Sequence, residues 1–247
     1  RVTRDRADGF VPFFVVATKG TTSSMAFDPV PAIAEVCGRE GMWLHVDAAM
    51  AGIAALCPEL RWVNDGLERA DSYCTNPHKW MGVNFDCDLF WVADRHWLVN
   101  ALSILPEYLR TQEGDSGGAI DYRDWQVPLG RRFRALKLWF TLRADGPPAD
   151  MIRHHLALTD ELVAWVRADE RFVLAAPPSL NLVCVRLAAG DTATDALIRE
   201  ANATGQALFT RTVLDGHSVL RVCIGNRTTE RRHVQAAWQL LTRLAPA

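Results

Sequence analysis

Apolar residues along this chain gather into short unbroken runs, separated by stretches with helical spacing. The first run, residues 11–17, is rich in β-branched and aromatic side chains. It predicts a strand of a parallel sheet, buried on both faces. Asp28-Pro29 then predicts a helix start, with Asp28 as N-cap and Pro29 at the first helical position, running to about residue 39. After Gly41, residues 42–46 form a second strand, so strand, helix and strand make a unit whose two strands run parallel. Further strands are expected at 72–75 and 87–92, and helices at 95–105 and 132–143. The last of these should turn Leu136, Trp139 and Phe140 to a buried face.

Gly146-Pro147-Pro148 is the clearest break in the pattern and predicts a domain boundary, giving units 1–146 and 147–247. The second unit opens with an amphipathic helix at 149–168, in which His154-His155 reads as a surface pair. Strands follow at 172–175, 182–187 and 218–223, with a weaker one at 206–210. Helices at 192–203 and 228–244 complete a compact α+β unit, with Trp238 and Leu240 in its core. Between the helices of the first unit, residues 105–118 are polar, glycine-rich and without apolar period, a composition suited to a mobile lid.

Composition narrows the classes. The chain has 247 residues, is 49% hydrophobic and carries a net charge of −2, ordinary values for a globular protein. This balance gives no electrostatic argument for nucleic acid or a membrane surface. No apolar run approaches the ~20 residues of a membrane span. The six cysteines are scattered, without CxxC pairs or metal spacing, and read as reduced thiols of a cytoplasmic protein. No metal is expected. The opening Arg1-Val2-Thr3-Arg4-Asp5 is polar and lacks Met, so the start reads as the middle of a protein.

Two motifs carry the chemistry, His45-Val46-Asp47-Ala48-Ala49 and Asn76-Pro77-His78-Lys79-Trp80. Each follows a predicted strand, so Asp47 and Lys79 can face one crevice beyond the carboxyl edge of the sheet. A lysine buried there suits a Schiff base to a carbonyl cofactor, with desolvation lowering the amine's pKa. An Asp in the same crevice can keep a pyridine nitrogen protonated. From spacing alone, two unrelated loop charges are an equal reading.

The wording around these residues changes that balance. Ala17-Thr18-Lys19-Gly20-Thr21-Thr22, Trp43-Leu44-His45-Val46-Asp47-Ala48-Ala49, Asn76-Pro77-His78-Lys79-Trp80, Val83-Asn84-Phe85-Asp86-Cys87 and the long run Asp121–Phe133 closely resemble the aromatic-L-amino-acid decarboxylases, group II pyridoxal-phosphate enzymes. The resemblance covers essentially the whole chain. It implies the α/β fold of the fold-type I pyridoxal-phosphate-dependent transferases. Present would be part of the large domain, with a mainly parallel sheet whose 87–92 strand runs antiparallel, and a small C-terminal α+β domain.

The resemblance further implies pyridoxal 5'-phosphate as cofactor, with Lys79 forming the internal aldimine and Asp47 on the pyridine nitrogen. Ala49 would lie against the ring, Asn76 and Thr22 would contact the cofactor, and His78 would lie beside it. Tyr108 matches the family's catalytic loop tyrosine, which helps protonate carbon after carbon dioxide leaves; aldehyde-forming relatives carry Phe there. Gly130 matches a position of small size associated with room for catechol or indole. The implied substrate is an aromatic L-amino acid and the implied assembly a homodimer. The family's serine-rich phosphate cup and ring-stacking histidine have no counterpart in this chain. A related pyridoxal-phosphate enzyme, such as an aromatic aldehyde synthase or another group II decarboxylase, and a non-catalytic truncated subunit remain as alternatives.

Overall fold

The computed structural model describes residues 1–103, 120–146 and 148–246. After a short helix α1 (Val2–Ala7), strand β1 (Phe14–Thr18) leads through helix α2 (Val30–Glu40) to strand β2 (Trp43–Asp47). Gly41 ends α2 in the left-handed region at φ 67°, a conformation only glycine adopts freely. Three short 3₁₀ helices (Ala51–Leu56, Pro58–Asn64 and Leu67–Arg69) precede strand β3 (Ser72–Thr75). Strand β4 (Leu89–Val92) and helix α3 (Arg95–Leu102) follow. The sheet order is β1-β2-β3-β4, with β1, β2 and β3 parallel and β4 antiparallel to β3.

Strand alternation divides this sheet sharply. Ala17, Leu44, Val46 and Tyr73 face α2 and pack with its Val30, Ala34 and Cys37. The opposite face carries Phe14, Val16 and Phe90, all 47–49% exposed, together with Trp43, His45 and Asp47. The expectation of a first strand buried on both faces is therefore corrected. One face of β1 is open because, among the described residues, only the α2 side of the sheet is covered. The helix start is corrected too: Asp28 does not cap α2. Its carboxylate accepts the Thr18 N–H at 2.7 Å, tying the end of β1 to the crossover, and Pro29 occupies the N-cap.

Helix α4 (Arg134–Asp145) forms where expected, but Leu136, Trp139 and Phe140 are 45–57% exposed rather than buried. Helix α5 (Ala149–Ala168) then packs across a second sheet, built from β5 (Phe172–Leu174), β6 (Leu182–Leu187), β7 (Thr210–Leu214) and β8 (His217–Cys223) in the order β5-β6-β8-β7, all antiparallel. Between β6 and β7 runs helix α6 (Asp191–Ala203), and helix α7 (Arg231–Leu244) closes the unit. The weak strand expected at 206–210 lies further on. A two-residue Asp215-Gly216 turn, both residues at positive φ, sets its register against β8. Leu158, Leu162, Val183, Val185, Leu220 and Leu240 form the core here, with Trp238 packed against it.

A further cluster joins the two sheets. Ile53, Trp80, Met81 and Val83 from the first part pack with Ile152, Leu182, Cys184 and Val219 from the second. Burial of about 25 cal/mol per Å² makes such a junction a main source of rigidity for the turn that Trp80 belongs to.

Candidate active site

The site is built on the carboxyl ends of β2 and β3. Asp47 is the last residue of β2 and pairs across to Cys74 of β3. Its Oδ1 accepts the Ala49 N–H at 2.9 Å and the Cys74 thiol at 3.8 Å. That thiol is pushed up to about 12, first by burial and then by Asp47 and Asp88, so it stays protonated and donates. The two strand exits are laced together by the Ala48 N–H to Cys74 O (3.0 Å), the Asn76 N–H to Ala49 O (2.8 Å) and the Thr75 hydroxyl to Ala48 O (3.0 Å). Ala48 is fully buried, whereas Asp47 and Ala49 keep partial access.

Residues 76–83 form a compact turn, held by the Lys79 N–H to Asn76 O (2.9 Å) and the Val83 N–H to Pro77 O (3.1 Å). Trp80 is fully buried beneath it, and Lys79 is exposed. The expected burial of Lys79 is thereby corrected. The indole anchors the turn and leaves the neighbouring amine on the open side. His78 is fixed by its Nδ1, 2.7 Å from Cys87 O and 3.0 Å from Cys87 N, and meets the Phe85 ring edge-on at 4.9 Å. Its Nε2 lies 3.5 Å from Asn76 Nδ2. Asn76 Oδ1 is buried and, among the described residues, has no hydrogen-bond partner, an acceptor left in want of a donor.

Thr22 sits exposed in the turn after β1, which Ala26 O closes by accepting the Gly20 and Thr21 N–H groups, each at 3.0 Å. Thr18, where that turn begins, pairs directly with Asp47. Tyr108, and the whole of 105–118, lie outside the described residues.

Besides Cys74, three neighbours escaped the sequence reading. Asp88, just before β4, is an exposed residue whose carboxyl is nevertheless pushed up by partial burial. The charges acting on it are His78, Asp47, His45 and Lys79, which gathers both motifs around one carboxylate. His45 lies between Phe14 and Phe90 and shares the Ser72 hydroxyl (2.8 Å) with the Trp43 indole; desolvation lowers its pKa. Lys19 is 6% exposed, its Nζ 3.3 Å from Asp65 O, and burial lowers its pKa against the pull of Asp65 and Asp28. The register of Asp47 against β3 would have pointed to Cys74. Nothing local in the sequence marks Lys19 as buried.

The pyridoxal-dependent decarboxylase conserved domain matches residues 1–188. The chain belongs to this family. It is 46% identical over 244 residues to the aromatic-L-amino-acid decarboxylase of Bos taurus, covering 98% of this chain and 50% of that protein. It is 43% identical over 249 residues to the phenylacetaldehyde synthase of Arabidopsis thaliana, covering 97% of this chain and 51% of that protein. A crystal structure of Oryza sativa TDC with PLP and tryptamine superposes with a TM-score of 0.95 at 42% identity, over 99% of this chain and 52% of that one. The chain thus spans about half the length of the relatives it matches. Its α/β fold is that of the pyridoxal-phosphate decarboxylases, in agreement with the fold-type I expectation.

The residues present fit such a cofactor. A carboxylate on fixed donors, an exposed amine and a buried acceptor without a partner among the described residues stand at adjoining strand exits, together with small Ala48 and Ala49.

Proposed function

We propose that this chain carries the lysine-bearing part of a decarboxylase that converts aromatic L-amino acids to amines and carbon dioxide, with pyridoxal 5'-phosphate as cofactor. Bound pyridoxal phosphate supplies an electron sink for the pair left when carbon dioxide departs. Lys79, whose side chain is exposed at the site, would hold the cofactor through its carbonyl carbon. Asp47 would hold a proton on the ring nitrogen, its carboxylate oriented by the Ala49 N–H and the Cys74 thiol. Asn76 Oδ1 would offer the cofactor an acceptor, Thr22 and Ala49 would line it, and His78, its ring held by Cys87, would lie beside it. Tyr108 delivers a proton to the substrate carbon. The observation that supports this reading is that Asp47 ends β2, Lys79 lies in the turn that follows the neighbouring parallel strand β3, and both act on the carboxyl of Asp88.

We also read the assembly as a homodimer and its compartment as the cytoplasm. Val127, Phe133, Trp139 and Phe140 are 55–86% exposed around α4, a patch that asks for cover in an assembly. The six cysteines are free thiols, which suits a reducing compartment. Among the described residues, no helix is long and apolar enough to cross a membrane.

The test is product analysis of the protein with pyridoxal phosphate and, in turn, DOPA, 5-hydroxytryptophan, tryptophan, tyrosine and phenylalanine. Amine and carbon dioxide in equal amounts support the reading. Aldehyde with hydrogen peroxide would instead assign the chemistry of the aldehyde synthases.

A further inference from the structure

The Lys79 turn is held from below by a histidine of the second unit. His155, expected on the surface, is fully buried on α5, and its Nδ1 accepts the Trp80 indole N–H at 3.0 Å. Indole nitrogen only donates, so Nδ1 must be the unprotonated nitrogen. Nε2 then carries the ring proton and donates it to Asn226 O at 3.1 Å. Both ring nitrogens are satisfied in this one neutral tautomer. The assignment is forced by the partners.

The Asn226 segment touches the same turn elsewhere. Gly82 sits at φ 71°, where a Cβ would collide with the Arg227 side chain, and Gly225 lies against Trp80 and Asn181. Asn181 is fully buried and donates to Ile224 O at 2.8 Å, fixing the 224–226 strand exit in turn. One rigid path therefore runs from β8 through Asn226, His155 and Trp80 to the backbone of Lys79.

We propose that His155 is a positioning residue for Lys79, its neutral imidazole clamping the Trp80 indole to the Asn226 carbonyl so that the amine is presented in one orientation. The proposal deepens the reading of Lys79 given above and rests on it for the chemical step. A misplacement of about 1 Å in a reacting group can cost on the order of 100-fold in rate. Gln at this position can still accept from the indole and donate to the carbonyl. Phe fills the space and does neither.

The experiment uses the whole chain and its variants Trp80→Phe, His155→Phe and His155→Gln. ¹⁵N-edited NMR reads the His155 tautomer and the Trp80 indole resonance, the latter identified by its loss in Trp80→Phe. The chain has three lysines, Lys19, Lys79 and Lys137, so ¹³C-dimethyl labelling reports the surroundings of Lys79 without any cofactor. Borohydride trapping of pyridoxal phosphate on Lys79 reports its chemistry. The expected result is an Nε2–H tautomer in the wild type and a displaced Lys79 methyl resonance in Trp80→Phe and His155→Phe. Trapping should slow about 10- to 100-fold in both, while His155→Gln stays near wild type. An unmoved Lys79 resonance in both folded variants overturns the proposal, as does an Nδ1–H tautomer. A wild type that shows the tautomer but never traps the cofactor, with the lysine shift present in its variants, would count against the proposed function and leave the clamp standing. Should His155→Phe fail to fold, Trp80→Phe and His155→Gln decide the matter.

Discussion

Replacing Asp47 by Asn changes one atom in shape and the whole polarity of the site. Oδ1 of Asp47 is already engaged by the Ala49 N–H and the Cys74 thiol. An Asn side chain satisfies the same two donors by leaving its carbonyl oxygen there, which turns its NH₂ group to the side where the carboxylate offered its second oxygen. A ring nitrogen that needs an anionic acceptor then meets a donor. A hydrogen bond to a charged group contributes about 1.5–3 kcal/mol. Its loss weakens pyridoxal phosphate binding roughly 10- to 150-fold. Decarboxylation should fall further than binding, because the protonated ring matters most when charge develops in the transition state. The assay is an absorbance titration with pyridoxal phosphate beside steady-state kinetics, and a urea midpoint close to wild type would show that the fold survives. Cofactor affinity within twofold of wild type, with unchanged kcat, would refute the assigned role of Asp47.

Lys79→Ala should abolish both turnover and borohydride trapping, read by product assay and peptide mass; retained decarboxylation would sink the assignment. Tyr108→Phe should divert the product from amine toward aldehyde, measured by chromatography of both, and an unaltered product ratio would count against proton delivery by Tyr108. Burial lowers the pKa of His45 and His155 below the ordinary value near 6.5. The unfolded chain therefore takes up protons that the folded chain refuses, so stability is full above about pH 6.5 and declines as pH falls below it. Urea midpoints at pH 7.5 and 5.5 should show this loss, and His155→Gln should reduce it. Equal midpoints in the wild type would contradict the buried neutral state.

The exits of β2 and β3 were legible because their motifs sit at the ends of short apolar or mixed runs, and local order in the chain became order along one sheet edge. Helix α5 was legible at both ends. His155 within it is buried rather than on the surface, and the sequence carries a signal for that: Ile152, His155, Leu162 and Val166 follow helical spacing and are all buried. A histidine on an apolar stripe needs partners, and those come from residues 75 positions before and 71 after it, beyond the reach of any local pattern. Asp28 had the right neighbour for an N-cap, yet a strand-end N–H competed successfully for its carboxylate. Leu136, Trp139 and Phe140 were read as a buried stripe from their spacing, which states that a face is apolar and does not state what covers it. The exposure of Lys79 followed from Trp80, since a turn that buries a large indole on one side turns its neighbour outward.

The measurement that bears most directly on the account is borohydride reduction of the protein with pyridoxal phosphate, followed by peptide mass mapping of its three lysines. The expected result is loss of the visible cofactor band and a single phosphopyridoxyl addition on the peptide carrying Lys79. Label on Lys19 or Lys137 with Lys79 untouched, in protein that is folded and binds the cofactor, would contradict it.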